Sequence, residues 1–252
     1  MFRLTLLCAL IASALCYPQE RVVGGHDADQ SEYPFIVSLR SATGSHSCGS
    51  SILSEYWILT AAHCVSSAKP SSISIQYGVT TIASKGPNVA SVAEIIVHEG
   101  YNPSNSYIND IALVRLASPL PIGSEVNAVK LPPSYTEVSG RTFATLIGWG
   151  LDKTGGSIQT HLQQVDLVTF DNPECSSLHY NKIHASNICA GVPEGGKGQC
   201  SGDSGGPLLI NGYQHGIVSW SVKPCTVAPY PGVYTKVSHY VDWLRTKTGL
   251  NL

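Results

Sequence analysis

The chain has 252 residues, 43 % of them hydrophobic and only 13 % charged, with 24 glycines, 15 prolines and eight cysteines. That is enough chain to bury a substantial core, as one large all-β unit or two small domains, and so little charge excludes a coiled coil and a disordered chain. A formal net charge of −2 gives no basic excess for a nucleic acid or an anionic membrane surface.

The first element is a targeting segment. Arg3 precedes an uncharged apolar run at residues 4–16. Thirteen residues are too few to span a bilayer but suit a secretory signal, and the rival reading is a short membrane anchor. Ala14-Leu15-Cys16 places the cut after Cys16. A secreted, extracellular chain is therefore expected, without a membrane span. Strand-like runs follow at residues 35–39, 73–77, 111–114, 142–147, 162–168, 207–210 and 216–220, rich in β-branched and aromatic residues and bounded by turn formers. Closely spaced strands of this kind predict an all-β sandwich or barrel. The proline pair Pro132-Pro133 marks a candidate boundary between two halves. Only the tail, 239–250, reads as helix, from the stripe Tyr240, Val241, Trp243 and Leu244 ending at Gly249.

Removing the signal leaves six cysteines, Cys48, Cys64, Cys175, Cys189, Cys200 and Cys225. In an oxidising compartment an even count implies disulfides, with fifteen pairings open by arithmetic. His46 and His63 beside Cys48 and Cys64 raise the alternative of zinc, but no pair has the spacing of a structural zinc site.

The segment Gly202-Asp203-Ser204-Gly205-Gly206-Pro207 carries the most chemistry. Glycines around one serine allow a tight backbone whose amide N–H groups turn toward a common point, as an acyl-transfer nucleophile requires. A serine hydroxyl needs a base, and Thr60-Ala61-Ala62-His63-Cys64 offers His63. A carboxylate should hold that imidazole, and Asp110 stands just before an apolar strand. Each alone has a plain alternative: a glycine-rich turn, a structural histidine, a turn aspartate.

Together with Val22-Val23-Gly24-Gly25 after Arg21, Gly148-Trp149-Gly150, Ser219-Trp220 and Pro231-Gly232-Val233-Tyr234, these motifs stand in the order of a known family. From Val22 onward the chain resembles the chymotrypsin-like (trypsin family) secreted serine proteases, and most of all invertebrate digestive chymotrypsins. The resemblance implies two antiparallel six-stranded β-barrels, about 22–130 and 131–252, with a C-terminal helix and the active site in the cleft between them. His63 would be general base, Asp110 its orienting partner and Ser204 the nucleophile, with the N–H groups of Gly202 and Ser204 as oxyanion hole. The implied disulfides are Cys48–Cys64, Cys175–Cys189 and Cys200–Cys225. Two further bridges of digestive chymotrypsins are missing, since their positions hold Lys130, Ala144 and Ile210.

The resemblance also implies a zymogen. Residues 17–21 would form a propeptide, and a trypsin-like protease cutting after Arg21 would free the Val22 ammonium to pair with Asp203. Before cleavage, His46 and Ser38 would hold that aspartate. Five residues between signal and protease domain point to a stand-alone, digestive enzyme. It would act as a monomer on proteins and peptides and be subject to protease inhibitors. For specificity, Gly198 lies at the pocket floor, where a trypsin carries aspartate. Gln199, Ser219, Trp220, Ser221 and Gly232 complete the substrate site, an uncharged open slot for large apolar or aromatic P1 residues. Ser221, where relatives have glycine, narrows the mouth and keeps an elastase-like alternative open. No cofactor or metal is expected, because residues 77–90, matching the calcium loop of trypsins, contain no Asp or Glu. The remaining alternative is a non-catalytic homologue that acts as a binding protein.

Overall fold

The structure is a computed structural model describing residues 22–252, so the signal segment, the propeptide and Arg21 lie outside the described residues. The first strand, β1 (His26–Asp27), is short. Six strands then follow: β2 (Ile36–Ser41), β3 (His46–Ile52), β4 (Trp57–Thr60), β5 (Ile73–Tyr77), β6 (Val89–Val97) and β7 (Ala112–Leu116). They close into an antiparallel barrel in the order β2-β3-β4-β7-β6-β5. A second set comprises β8 (Phe143–Gly148), β9 (Gln163–Phe170), β10 (Asn187–Gly191), β11 (Pro207–Ile210), β12 (Tyr213–Trp220) and β13 (Gly232–Lys236). It closes as β8-β9-β10-β13-β12-β11, with β11 returning to β8. Closure leaves no long unpaired strand edge in either barrel.

Apolar residues on the inner faces fill both barrels. In the first, Ile58 and Leu59 of β4 sit opposite Val114 and Leu113 of β7; consecutive residues alternate faces, so one pair points into the barrel and the other packs outside it, all four fully buried. In the second, Leu146, Val165, Leu208, Val218 and Tyr234 form the core. Ala144 and Ile210, where relatives carry a disulfide, are buried in that core, so two apolar side chains pack where a bridge would stand. The first barrel's core continues through Ile147, Trp149, Leu209 and Ile217 of the second, so the seam between barrels is packed.

Two features depart from expectation. The division at residue 130 places the chain start in the first barrel, yet β1 pairs with β9 of the second, His26 opposite Gln164. Val22, fully buried, belongs to the second core, and burying it is the physical reason. Helix also occurs outside the tail, at α1 (Ala62–Val65) and α2 (Asn172–Leu178). The latter begins with Pro173 in its first turn and buries only Cys175, which leaves no apolar stripe to read.

The tail forms α3 (Val241–Thr248) and ends at Gly249, whose left-handed φ of 72° lets its N–H bond the Arg245 carbonyl. It straps the second barrel to the first: Tyr240 and Leu244 are buried in the first core, and the Trp243 indole donates to the Glu99 carboxylate at 2.9 Å. Truncation of Leu244, fully buried, removes that anchor. Leu244→Ala should lower the unfolding free energy by about 2–5 kcal/mol, read from the shift of the urea midpoint.

Candidate active site

The site is assembled at the seam. The chain leaves β4 and turns into α1, which puts His63 at the cleft edge, while Asp110 sits immediately before β7 with no exposed surface. Asp110 Oδ1 accepts the His63 backbone N–H at 2.9 Å, and Oδ2 accepts from His63 Nδ1 at 2.7 Å. Ser219 Oγ of β12 donates to the same Oδ2 at 2.5 Å, and Thr235 Oγ1 of β13 donates to the Asp110 carbonyl at 2.8 Å. Around this fully buried carboxyl group, the His63 and Ser219 donors take the place of water. With Nδ1–H engaged, the imidazole keeps its lone pair on Nε2, the tautomer a general base needs.

Supporting residues that the sequence did not single out lie around this pair. Asn109 adopts a left-handed φ of 57°, and its side chain donates to the Gly100 carbonyl and accepts from the Tyr240 hydroxyl at 2.7 Å. The Tyr107 ring meets the His63 imidazole edge-on, centroids 5.9 Å apart. Tyr240 lies 131 positions from Asn109, so no local sequence signal exists for that contact.

Ser204 sits in the turn before β11. Gly205, at φ 78°, has no room for a side chain: a Cβ would stand 2.3 Å from Thr60 Oγ1. The turn's N–H groups divide cleanly. Those of Asp203, Gly205 and Gly206 bond the carbonyls of Cys200, Val218 and Asp203. Those of Gly202 and Ser204 donate to nothing among the described residues, although both residues line a cleft of about 400 Å³ with His63. Two free donors beside one serine match an oxyanion hole. Ser204 and His63 share the cleft without a direct hydrogen bond among the described residues, a contact that commonly tightens only with substrate bound.

Asp203 is fully buried. Its Oδ1 accepts the Gly150 N–H at 2.8 Å and Oδ2 the Cys200 N–H at 2.9 Å. Gly150 must be glycine for this approach, since a Cβ there would lie 2.3 Å from the carboxyl group. Burial pushes Asp203 up to about 6, and among the described residues no cation forms an ion pair with it. His46, pushed down to about 4 by burial, bonds Ser38 Oγ at 2.7 Å and the Gly202 carbonyl at 2.9 Å. The expectation that His46 and Ser38 hold Asp203 is therefore not met here: His46, itself held by Ser38, bonds the carbonyl of the Gly202–Asp203 peptide.

The six cysteines pair as Cys48–Cys64, Cys175–Cys189 and Cys200–Cys225. Cys48, His63 and Cys64 do converge, but the two sulfurs are bonded to each other, so neither is free as a thiolate ligand. Gly198, Gln199, Ser221 and Gly232 come together in one slot beside the cleft, whose lining includes Lys197 next to Gly198 but no Asp or Glu. The slot is not open, however. The Gln199 side chain crosses it, packs against Gly232 and donates from Nε2 to the Trp220 carbonyl at 2.6 Å, leaving about 10 Å³ free. Its Oε1 is buried without a hydrogen-bond partner.

Two closed six-stranded barrels with this cleft between them are the architecture of the chymotrypsin-like serine proteases. Comparison with known proteins agrees: the sequence pattern of the Trypsin family matches residues 22–244. Relatives include a trypsin of Xenopus laevis, 38 % identical over 98 % of both chains. Trypsin I-P1 of Gallus gallus is 38 % identical over 97 % of this chain and 98 % of its own. Cationic trypsin-3 of Rattus norvegicus is 36 % identical over 98 % of both. This chain belongs to the trypsin family of serine proteases.

The buried Asp203 gives a pH signature in the uncut chain. Its folded value of about 6 exceeds its ordinary 3.8, so between these values the folded state binds more protons and loses stability as pH rises. In an Arg21→Gln background, wild type should lose about 2 kcal/mol relative to Asp203→Asn between pH 4 and pH 6.5, with little further change above. Urea unfolding across that range measures it.

Proposed function

We propose that the chain is a secreted serine endopeptidase, made as a zymogen and working through an acyl-enzyme. The observation that carries this reading is the convergence, in one cleft, of the buried Asp110–His63 pair, Ser204 and the two free N–H groups of Gly202 and Ser204. In the proposed reaction His63 Nε2 takes the Ser204 proton as Oγ attacks the scissile carbonyl. The developing oxyanion is received by the two N–H groups, and Asp110 stabilises the imidazolium. His63 then protonates the leaving amine, and water repeats the sequence to release the acid.

Cleavage after Arg21 by a trypsin-like protease is the proposed switch. Val22 is already buried in the second-barrel core and Asp203 makes no ion pair among the described residues, so a new Val22 ammonium would supply a close partner. Three disulfides suit an oxidising, extracellular setting, and digestion of dietary protein by a monomeric enzyme open to protease inhibitors is the role proposed.

For specificity, the named relatives are trypsins, yet Gly198 leaves a substrate arginine or lysine without a partner, and a buried unpaired cation is costly. The proposed P1 preference is for large apolar or aromatic side chains, admitted when Gln199 releases the Trp220 carbonyl and swings aside. A second reading, preference for small P1 residues as in elastases, is favoured by one observation, the slot filled by Gln199.

Hydrolysis of peptide anilides with Phe, Leu, Ala or Arg at P1, before and after trypsin nicking at Arg21, tests the proposal. Turnover of Phe and Leu that appears only after nicking and vanishes in Ser204→Ala is expected. Alanine preference would select the second reading, arginine preference would contradict the Gly198 argument, and no turnover of verified nicked protein would leave a binding protein. Asp110→Asn should lower kcat by about 10⁴, the size of the corresponding change in the chymotrypsin-type triad. Gln199→Ser should raise kcat/KM for Phe over Ala by about tenfold or more.

A further inference from the structure

A second pocket of about 240 Å³ adjoins Gly202 of the cleft. Two of its walls touch Gly202 directly: His46 bonds the Gly202 carbonyl, and Ile158 Cδ1 lies against the Gly202 Cα, where a Cβ would come within 2.5 Å of it. The acyl half of a substrate is expected along Ser219–Ser221, so this pocket faces the leaving-group half.

Arg40 gives the pocket its chemistry. It stands on β2 at a bulge opposite His46 and is 4 % exposed. Its Nε donates to the Gly44 carbonyl at 2.8 Å and one Nη donates to the Ser84 carbonyl. Both partners are neutral, the other Nη makes no hydrogen bond among the described residues, and no Asp or Glu lines the pocket. A guanidinium is always protonated, and a buried one without a carboxylate is an unmet charge. The rest of the lining, from Ile82 and Ile158 to Gln76, Ser45 and Thr160, carries no charge, and His46 is neutral at working pH, so the guanidinium is the pocket's one charge.

The geometry points to a leaving-side subsite in which Arg40 binds an acidic side chain of the substrate, one or two residues after the scissile bond. A carboxylate entering there gains a charge-assisted hydrogen bond to the free Nη and neutralises the guanidinium, whereas a lysine would be repelled. Substrates with Glu or Asp on that side would be cut, or resynthesised, faster than neutral ones.

Acyl transfer tests this on the activated full-length enzyme. The inference rests on the acyl-enzyme reading, so the acyl-enzyme is first formed from a peptide ester with the best P1 residue. The Ser204 ester bond then breaks either to water or to the amine of an added dipeptide amide, forming a peptide bond while the amine's proton passes to His63. The dipeptides are Gly-Glu-amide, Glu-Gly-amide, their Gln counterparts and Gly-Lys-amide, and the products are separated chromatographically. One Glu dipeptide should be captured about tenfold better than its Gln counterpart, with Lys worse than Gln. Arg40→Met should abolish the Glu-over-Gln ratio and Arg40→Lys should keep part of it. Each ratio is internal to one enzyme preparation, so loss of folded protein cancels, and the wild-type comparison decides even if a variant does not fold. Equal capture of all dipeptides by wild type overturns the subsite, and an unchanged ratio in Arg40→Met overturns the role of Arg40. Ester that is never hydrolysed would instead defeat the acyl-enzyme reading itself.

Discussion

Asp110 is fully buried, and the hydrogen bonds to its carboxyl group and its backbone carbonyl come from both barrels. His63 approaches from the first, while Ser219 and Thr235 reach across from β12 and β13 of the second. Pulling the barrels apart would strand a carboxylate in an apolar seam, so a misaligned seam carries the cost of an unsolvated charge. The strap of α3 serves the same alignment, because Tyr240 binds Asn109, the residue next to Asp110. Fold and chemistry thus depend on one buried charge.

A second buried carboxylate, Asp203, plays the complementary part. Asp110 has a histidine beside it, whereas Asp203 has backbone N–H groups and the more distant Lys223 but no ion pair among the described residues. One is a finished pair and the other a half-finished one, adjacent to the serine whose N–H must stay free. In the activation proposed above, that difference is closed by the free amine of Val22, whose side chain is packed in the second core.

The parts of the site that were legible in the sequence are those whose chemistry demands residues close together in the chain. Glycines around Ser204, and Gly150 beside Asp203, exist because a side chain would collide, so they leave a local pattern. Strands 73–77 and 207–210 were also readable to the residue, the first as the alternation Ile-Ser-Ile-Gln-Tyr and the second as a short apolar run. Contacts formed by distant segments left no such trace: Ser219 to Asp110 and Tyr240 to Asn109 depend on barrel closure. Gln199 was placed at the pocket wall, but a side chain's direction is set by its acceptor, the Trp220 carbonyl, which only the folded β12 presents. Strand β6 escaped the reading because its residues are mostly half-exposed, which blurs the alternation.

The central claim is that the Asp110–His63 pair makes Ser204 the one reactive hydroxyl. Labelling the activated protein with a fluorophosphonate, followed by peptide mapping, tests it most directly. The account predicts a single adduct on Ser204 that forms rapidly in wild type and orders of magnitude more slowly in Asp110→Asn. An adduct on another residue, or a rate unchanged by Asp110→Asn, would contradict it.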